Sequence, residues 1–199
     1  MRVSRIVHGS YVNGPGQRNV LWVQGCTIGC KGCFNTHTWV KEKGALMSTD
    51  EVVNELLEYP VSYPGGLTIS GGEPMEQWDS VKEVVRMFRD AVGRRVSVLM
   101  FTGWTRDMLV QSVGYEELCQ YVDVAVAGPY MMRDPNETVV AGLATSSNQE
   151  VIPLTKAHTL EEIMRPAKYN IEVHCEGEST TISGFPSQEQ RTQIIRELK

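Results

Sequence analysis

The chain has 199 residues, 41% hydrophobic and 22% charged, with a formal net charge of −5 and an isoelectric point near 5.4. That length predicts one domain with a core that needs no disulfide staples, and the acidic balance argues against a nucleic-acid partner. No apolar run reaches the ~20 residues of a membrane span, and Met1–Arg5 is followed by no apolar signal core, so the expected location is the cytoplasm.

Val20–Val23 is a short apolar run that reads as a buried strand. Ser48 with Glu51 forms a capping box, and Val52, Val53, Leu56 and Leu57 then recur at helical spacing until Pro60. Gly66–Ser70 is the next predicted strand. Asp79 is the expected cap of a helix with the stripe Val81, Val84, Val85 and Phe88, closed by Gly93. On that helix Lys82, Glu83, Arg86, Arg89 and Asp90 are expected to form a solvated face. Val96–Phe101 is a third strand, helices follow from Thr105 and over Tyr115–Tyr121, and Val122–Ala127 is a fourth strand.

The pattern breaks from 128 to 149, where Pro129, Pro135, Gly142 and a polar Thr-Ser-Ser-Asn run predict a long loop, a kind often functional in compact domains. Met131 and Met132 in it suit either a partner surface or core packing. Glu150–Leu154 reads as a fifth strand and Thr159–Glu162 opens a short helix with a second capping box. Asn170–Cys175 is a sixth strand, with Thr180–Ile182 as its hairpin partner, and Ser187 caps a terminal helix carrying Ile194, Ile195 and Leu198. Alternating strands and helices imply βαβ units and a mainly parallel sheet. The chain is short for a full eight-unit barrel of ≈ 250 residues, so six units predict an α/β fold in one domain, a partial, open (β/α)6 barrel.

Ligand sites in such sheets lie at the carboxyl ends of the strands. That edge collects the segment after Val23, then Gly71-Gly72-Glu73-Pro74, Thr102-Gly103-Trp104 and Ala127-Gly128-Pro129-Tyr130, which are expected to face one cavity. The first of them, at 25–37, holds three of the five cysteines: Cys26, Cys30 and Cys33, spaced C-x3-C-x2-C and separated by glycines. An odd number of cysteines with three clustered fits a reducing compartment better than a disulfide framework. Three converging thiols allow two chemistries. With His37 they make a Cys3His tetrahedron for structural zinc. Alone they hold a 4Fe–4S cluster with one iron open to a ligand. Cys119 and Cys175 stand alone and are expected to be small buried side chains. His8, His158 and His174 have no partners at ligand spacing and read as structural.

The cysteine motif followed by a strand ending in Gly71-Gly72-Glu73-Pro74 resembles the signature of the radical S-adenosylmethionine enzymes. Gly14-Pro15-Gly16-Gln17-Arg18, Gln24-Gly25-Cys26, Cys33-Phe34-Asn35 and Thr38-Trp39 are similar to the activating enzymes of anaerobic ribonucleotide reductase. So are Phe101-Thr102-Gly103-Trp104-Thr105, Ala127-Gly128-Pro129-Tyr130 and Ser146-Ser147-Asn148-Gln149. The resemblance covers nearly all of the chain. It implies a partial (β/α)6 barrel with Cys26, Cys30 and Cys33 as ligands of a single 4Fe–4S cluster. It implies S-adenosylmethionine as the second cofactor, with Gly71, Gly72 and Glu73 holding its amino group. An electron from a flavodoxin- or ferredoxin-type donor would cleave the sulfonium to a 5′-deoxyadenosyl radical. That radical would abstract a hydrogen atom from a glycine of a partner glycyl radical enzyme, an anaerobic ribonucleotide reductase.

Four more residues are candidates for the cofactor, each with a plainer reading. Thr102 bonds the ribose or carboxylate, or packs; Trp104 stacks on adenine, or belongs to the core. Ser147 and Asn148 contact the nucleoside, or cap a turn. Two positions depart from the family pattern: Asn13 and Ala127 stand where the subgroup has Asp. They leave open a radical enzyme acting directly on a peptide or small molecule, beside the non-catalytic zinc module from another class.

Overall fold

The computed structural model describes residues 1–93, 95–131, 142–165, 171–176, 179–184 and 188–197. Its strands are β1 (Arg2–Ser10), β2 (Arg18–Val23), β3 (Ala45–Leu46), β4 (Gly66–Gly71), β5 (Ser97–Thr102), β6 (Val124–Ala127), β7 (Glu150–Pro153), β8 (Ile171–Glu176) and β9 (Ser179–Gly184). Its helices are α1 (Thr49–Leu57), α2 (Trp78–Val92), α3 (Arg106–Ser112), α4 (Tyr115–Tyr121), α5 (Leu160–Met164) and α6 (Gln188–Glu197).

Seven strands form one sheet in the order β3-β1-β2-β4-β5-β6-β7. The four central strands β2, β4, β5 and β6 are mutually parallel. They are linked by α1, by α2 and by the α3–α4 pair, as the alternating pattern requires. β2 and β6 are buried along their whole length, the mark of strands covered on both faces. The rest of the expected six-unit series differs. β7 runs antiparallel to β6, and β8 pairs only with β9 in a separate two-stranded sheet.

β1 and β3 have no counterpart in the sequence reading. β1 runs antiparallel to β2, and its register slips between Val3 and Arg5 and again between Val7 and Ser10. An extra residue in one strand breaks the period-2 alternation by which a strand is recognised.

Both capping boxes form. Ser48 accepts from Glu51 N and Thr159 from Glu162 N, with the Glu side chains returning to the cap residues' amides. On α1, Val52, Val53 and Leu56 are buried; on α2, so are Val81, Val84, Val85 and Phe88. These join Leu67, Ile69, Val98 and Met100 of the sheet in the main core. α2 ends at Gly93, whose φ of 87° favours glycine.

Three expectations need correction. Asp79 does not cap α2: a 3-10 turn at Pro74–Gln77 runs straight into the helix, Gln77 is the cap residue, and Asp79 falls in the first turn. There its charge complements the helix dipole and it pairs with Lys82 at 3.2 Å. Arg89 is not on the solvated face. It is buried, with Nη2 2.6 Å from Asp123 Oδ2 and Nη1 donating to Gln120 O at 2.6 Å, because its long side chain reaches the loop before β6. Cys175 is exposed on β8, and Cys119 is only half-buried, its thiol donating to Leu154 O. Ser187, Leu198, Met132 and Pro135 lie outside the described residues. Among those described, no helix is long and apolar enough to cross a membrane.

Candidate cofactor site

β2 delivers the chain to the carboxyl edge of the sheet, and its next residue, Gln24, builds the frame of the cysteine loop. Gln24 Nε2 donates to His37 O at 2.9 Å and Val40 O at 2.8 Å. Gly25 N and Cys26 N donate to Thr38 O and Trp39 O, so the loop's two ends lie side by side. Gln77 locks this frame to the sheet: its Nε2 donates to Arg2 O and Gln24 O, and its Oε1 accepts from Arg2 N at 2.7 Å. Across the loop, Thr27 donates from N and Oγ1 to Glu76 Oε1, at 2.7 and 2.6 Å.

The loop after β4 is stitched to this frame backbone to backbone. Gly72 N donates to Val23 O and Glu73 N to Gly25 O, each at 2.8 Å. Gly71 has φ of 105°, which only glycine adopts readily. A Cβ on Gly72 would collide with the Gly25 carbonyl. The close approach at Gly71 is therefore to the end of β2, and at Gly72 to the cysteine loop itself.

All three cluster-loop cysteines line one cavity of about 160 Å³, together with Gly71, Gly72, Glu73, Thr102, Gly103, Gly128 and Tyr130. The loops after the four parallel strands thus face one space. Cys26 Sγ has the backbone N–H groups of Ile28 and Gly29 directed at it, Cys30 that of Tyr130, and Asn35 N donates to Cys33 Sγ at 3.4 Å. Burial pushes the Cys26 and Cys30 thiols up, while these donors favour their thiolates. Three thiolate donors and no fourth cysteine in the same wall suit an iron–sulfur cube with one open iron. His37 Nε2 stands 2.6 Å from Arg5 Nη2, and His37 is not among the residues that line the cavity with the three cysteines.

Glu73 faces the thiols and is 1% exposed. Its Oε1 accepts from Met75 N at 2.9 Å and Thr102 Oγ1 at 2.7 Å, and Oε2 accepts from Gly103 N at 2.7 Å. Burial raises its pKa, against the pull of those three donors. Two carboxylate oxygens offer about four acceptor positions. Three of these are filled by the donors above, and among the described residues no Lys or Arg ion pair involves Glu73. A buried anion held in this way calls for a cationic ligand group.

The remaining candidates separate. Thr102 lies in the cavity wall, but its hydroxyl serves Glu73 and accepts from Trp104 N. Trp104 packs against the main core and is not among the lining residues. Ser147 and Asn148 are exposed, and Asn148 Nδ2 donates to Pro129 O at 2.7 Å. Their neighbours Thr145 and Gln149 line the cavity instead. Gln149 Oε1 accepts from Thr145 N and Oγ1, and its Nε2 donates to Gly128 O, folding this loop onto the end of β6. Gln149 stands in the same Ser146-Ser147-Asn148-Gln149 segment. Ser70 and Trp22 also line the cavity and carry no sequence signal beyond strand residues, whereas Phe101, lining it too, opens the Phe101-Thr102-Gly103-Trp104-Thr105 segment of the resemblance.

The two departures from the family pattern differ in setting. Asn13 lines the cavity, buried, with Nδ2 donating to Ser10 Oγ at 2.8 Å and to Ser183 Oγ of β9. Ala127 is 2% exposed within the main core.

Comparison with known proteins agrees with this geometry. A family described as the 4Fe-4S single cluster domain matches residues 12–152. The anaerobic ribonucleoside-triphosphate reductase-activating protein of Enterobacteria phage T4 is 31% identical over 153 residues, 76% of this chain and 93% of that protein. The pyruvate formate-lyase-activating enzymes of Staphylococcus epidermidis and Staphylococcus aureus are each 32% identical over 117 residues, 57% of this chain. The chain covers 46% of those two enzymes. With three cysteines and a buried glutamate around one cavity and a 4Fe-4S domain over most of its length, the chain belongs to the radical S-adenosylmethionine glycyl-radical activases.

Proposed function

We propose that the whole chain is one radical S-adenosylmethionine domain that activates a glycyl radical enzyme, and that its partner is an anaerobic ribonucleotide reductase. The observation that carries this reading is Glu73: a buried carboxylate lining the same cavity as three thiols, with three hydrogen-bond donors and, among the described residues, no Lys or Arg ion pair. Cys26, Cys30 and Cys33 would ligate one 4Fe–4S cluster, and Glu73 would receive the amino group of S-adenosylmethionine beside the Gly71–Gly72 backbone. When bound, this pair of groups supplies one-electron cleavage of the sulfonium and a carbon radical able to take a hydrogen atom from a glycine.

The chain's own residues do the rest. Gln24 and Gln77 fix the cysteine loop, and Thr102 and Gly103 orient Glu73 and favour its charged form. The segment with Thr145 and Gln149, rather than Ser147 and Asn148, would border the nucleoside end. Trp22, Trp39, Ile28 and Phe101 supply apolar wall that excludes water. The central parallel sheet would be the core of a partial barrel. The reductant would be a flavodoxin- or ferredoxin-type protein, and the setting the cytoplasm.

The test is anaerobic reconstitution with iron and sulfide, followed by dithionite and S-adenosylmethionine. Four irons per chain and formation of 5′-deoxyadenosine are expected. Stoichiometric zinc in the protein as purified, with no 5′-deoxyadenosine after reconstitution, would overturn the reading in favour of a zinc module.

A further inference from the structure

Charge is divided unevenly along this acidic chain. Residues 1–47 hold six basic residues (Arg2, Arg5, Arg18, Lys31, Lys41 and Lys43) and a single acid, Glu42, whereas the whole chain has 19 basic and 24 acidic residues. Arg18 is fully buried, whereas Lys31, Lys41 and Lys43 fall within or directly after the cysteine loop in the chain. Lys31 lies between Cys30 and Cys33, and Lys41 packs its Cβ and Cγ 3.4 Å from where a Cβ on Gly25 would stand. Arg2 Nη1 donates to Gly44 O, and Arg5 reaches His37 from β1. Lys31, Lys41 and Lys43 are exposed, and among the described residues the Lys and Arg ion pairs all lie elsewhere. Glu42 lies between Lys41 and Lys43 in the chain, Glu76 is engaged by Thr27, and Glu51 of α1 lines a groove with Met47, next to Leu46 in the chain. Val40 and Leu46, at 47% and 72% exposure, supply apolar surface within the same ring of charge.

Within the cysteine loop Thr27, Gly29, Lys31 and Gly32 are exposed, while Cys26, Cys30 and Cys33 are half-buried. We propose that the ring formed by Arg2, Lys31, Lys41 and Lys43 around Val40 and Leu46 is the docking surface for an acidic one-electron carrier protein. The inference rests on the assignment of the cysteine loop to an iron–sulfur cluster. The carrier gives up one electron and no proton, and the electron is taken up at the thiolate-held group a few residues beneath the contact. Opposite charge steers the encounter, and exposed apolar side chains hold it in register. Surface charges act over about 8 Å at physiological salt, so the effect is strongest at low ionic strength.

The test uses the reconstituted enzyme and reduced flavodoxin, an acidic carrier, with flavin oxidation followed by stopped flow at several salt concentrations. Lys41→Glu with Lys43→Glu should lower the second-order rate constant at least about tenfold at low salt and flatten or invert its salt dependence. The milder Lys41→Gln with Lys43→Gln should give the same sign, and guards against misfolding of the reversed pair. In both variants, 5′-deoxyadenosine formation driven by dithionite should match the unsubstituted enzyme. An unchanged flavodoxin rate and salt slope overturns the docking surface while leaving the cluster assignment intact. So does a variant that reacts normally with flavodoxin but fails to activate the glycyl radical enzyme, since the patch then serves that partner. No 5′-deoxyadenosine from the unsubstituted enzyme with dithionite overturns the underlying assignment instead.

Discussion

Replacing Glu73 by Gln keeps the shape of the side chain and removes its charge. In the native site Oε1 accepts two donors and Oε2 accepts Gly103 N at 2.7 Å. With the amide oxygen in the Oε1 position, the new NH2 group confronts the Gly103 N–H, donor against donor. A hydrogen bond to a charged group contributes about 1.5–3 kcal/mol, so the folded protein should lose roughly that much stability. A bound ammonium group loses a comparable interaction, which should weaken S-adenosylmethionine binding about 10- to 150-fold. The assay is anaerobic calorimetric titration of the cofactor into reconstituted enzyme, with urea unfolding alongside. Thr102→Val is the matched control. It removes one donor to Glu73 but leaves the carboxylate, so it should cost similar stability and weaken binding less than Glu73→Gln. Cofactor affinity within twofold of the unsubstituted enzyme in Glu73→Gln would refute the reasoning and leave Glu73 as a purely structural brace.

Other sites give independent checks. Arg89→Leu strands Asp123, whose Oδ2 still accepts from Val98 N and Oδ1 from Thr155 Oγ1, and should cost about 3–5 kcal/mol in urea unfolding; a loss under about 1 kcal/mol would mean that the buried pair is not needed. His37→Ala should retain the full iron content, because His37 is turned to Arg5; loss of iron in proportion to the substitution would restore it as a ligand. His158 is buried against Ser97 Oγ, with burial and then Arg18 lowering its pKa. The unfolded chain therefore takes up a proton near pH 6.5 that the folded chain refuses. Stability should fall as pH drops below about 6.5, by at most about 1.4 kcal/mol per unit, and His158→Gln should flatten that slope. An identical slope in the variant would assign it to other groups.

The sequence was most legible where one residue's chemistry is local. Ser48 with Glu51 and Thr159 with Glu162 specify helix starts through bonds three residues apart, and both form. The cysteine loop and the Gly-Gly-Glu turn were equally plain, because each sits at the end of a recognisable apolar strand. Reading failed where the partner is remote. Arg89 looks like its neighbours Arg86 and Asp90 until Asp123, 34 positions away, arrives beneath it. β1 hides behind two register slips, and only pairing with β2 makes its backbone a strand. The roles of Gln24 and Gln77 depend on carbonyls of three other segments and leave no trace in spacing. In the loop before β7, four consecutive polar residues look alike. Which of them faces the cavity is set by Gln149 folding back on Thr145 and Gly128.

Asn13 and Ala127 bear on the choice of substrate. At position 13 the amide donates to two serine hydroxyls, one on β9, a role that a carboxylate could not fill. At position 127 the methyl group packs in a core of Leu, Val and Ile. Each substitution thus has a structural fit of its own, and neither removes a group from the thiols or from Glu73.

The most direct test of the central claim is electron paramagnetic resonance of the reconstituted enzyme mixed anaerobically with an anaerobic ribonucleotide reductase, S-adenosylmethionine and reductant. The account predicts a glycyl doublet on the reductase, dependent on Cys26, Cys30 and Cys33. Turnover of a free peptide or metabolite to product, with no protein radical formed, would contradict it.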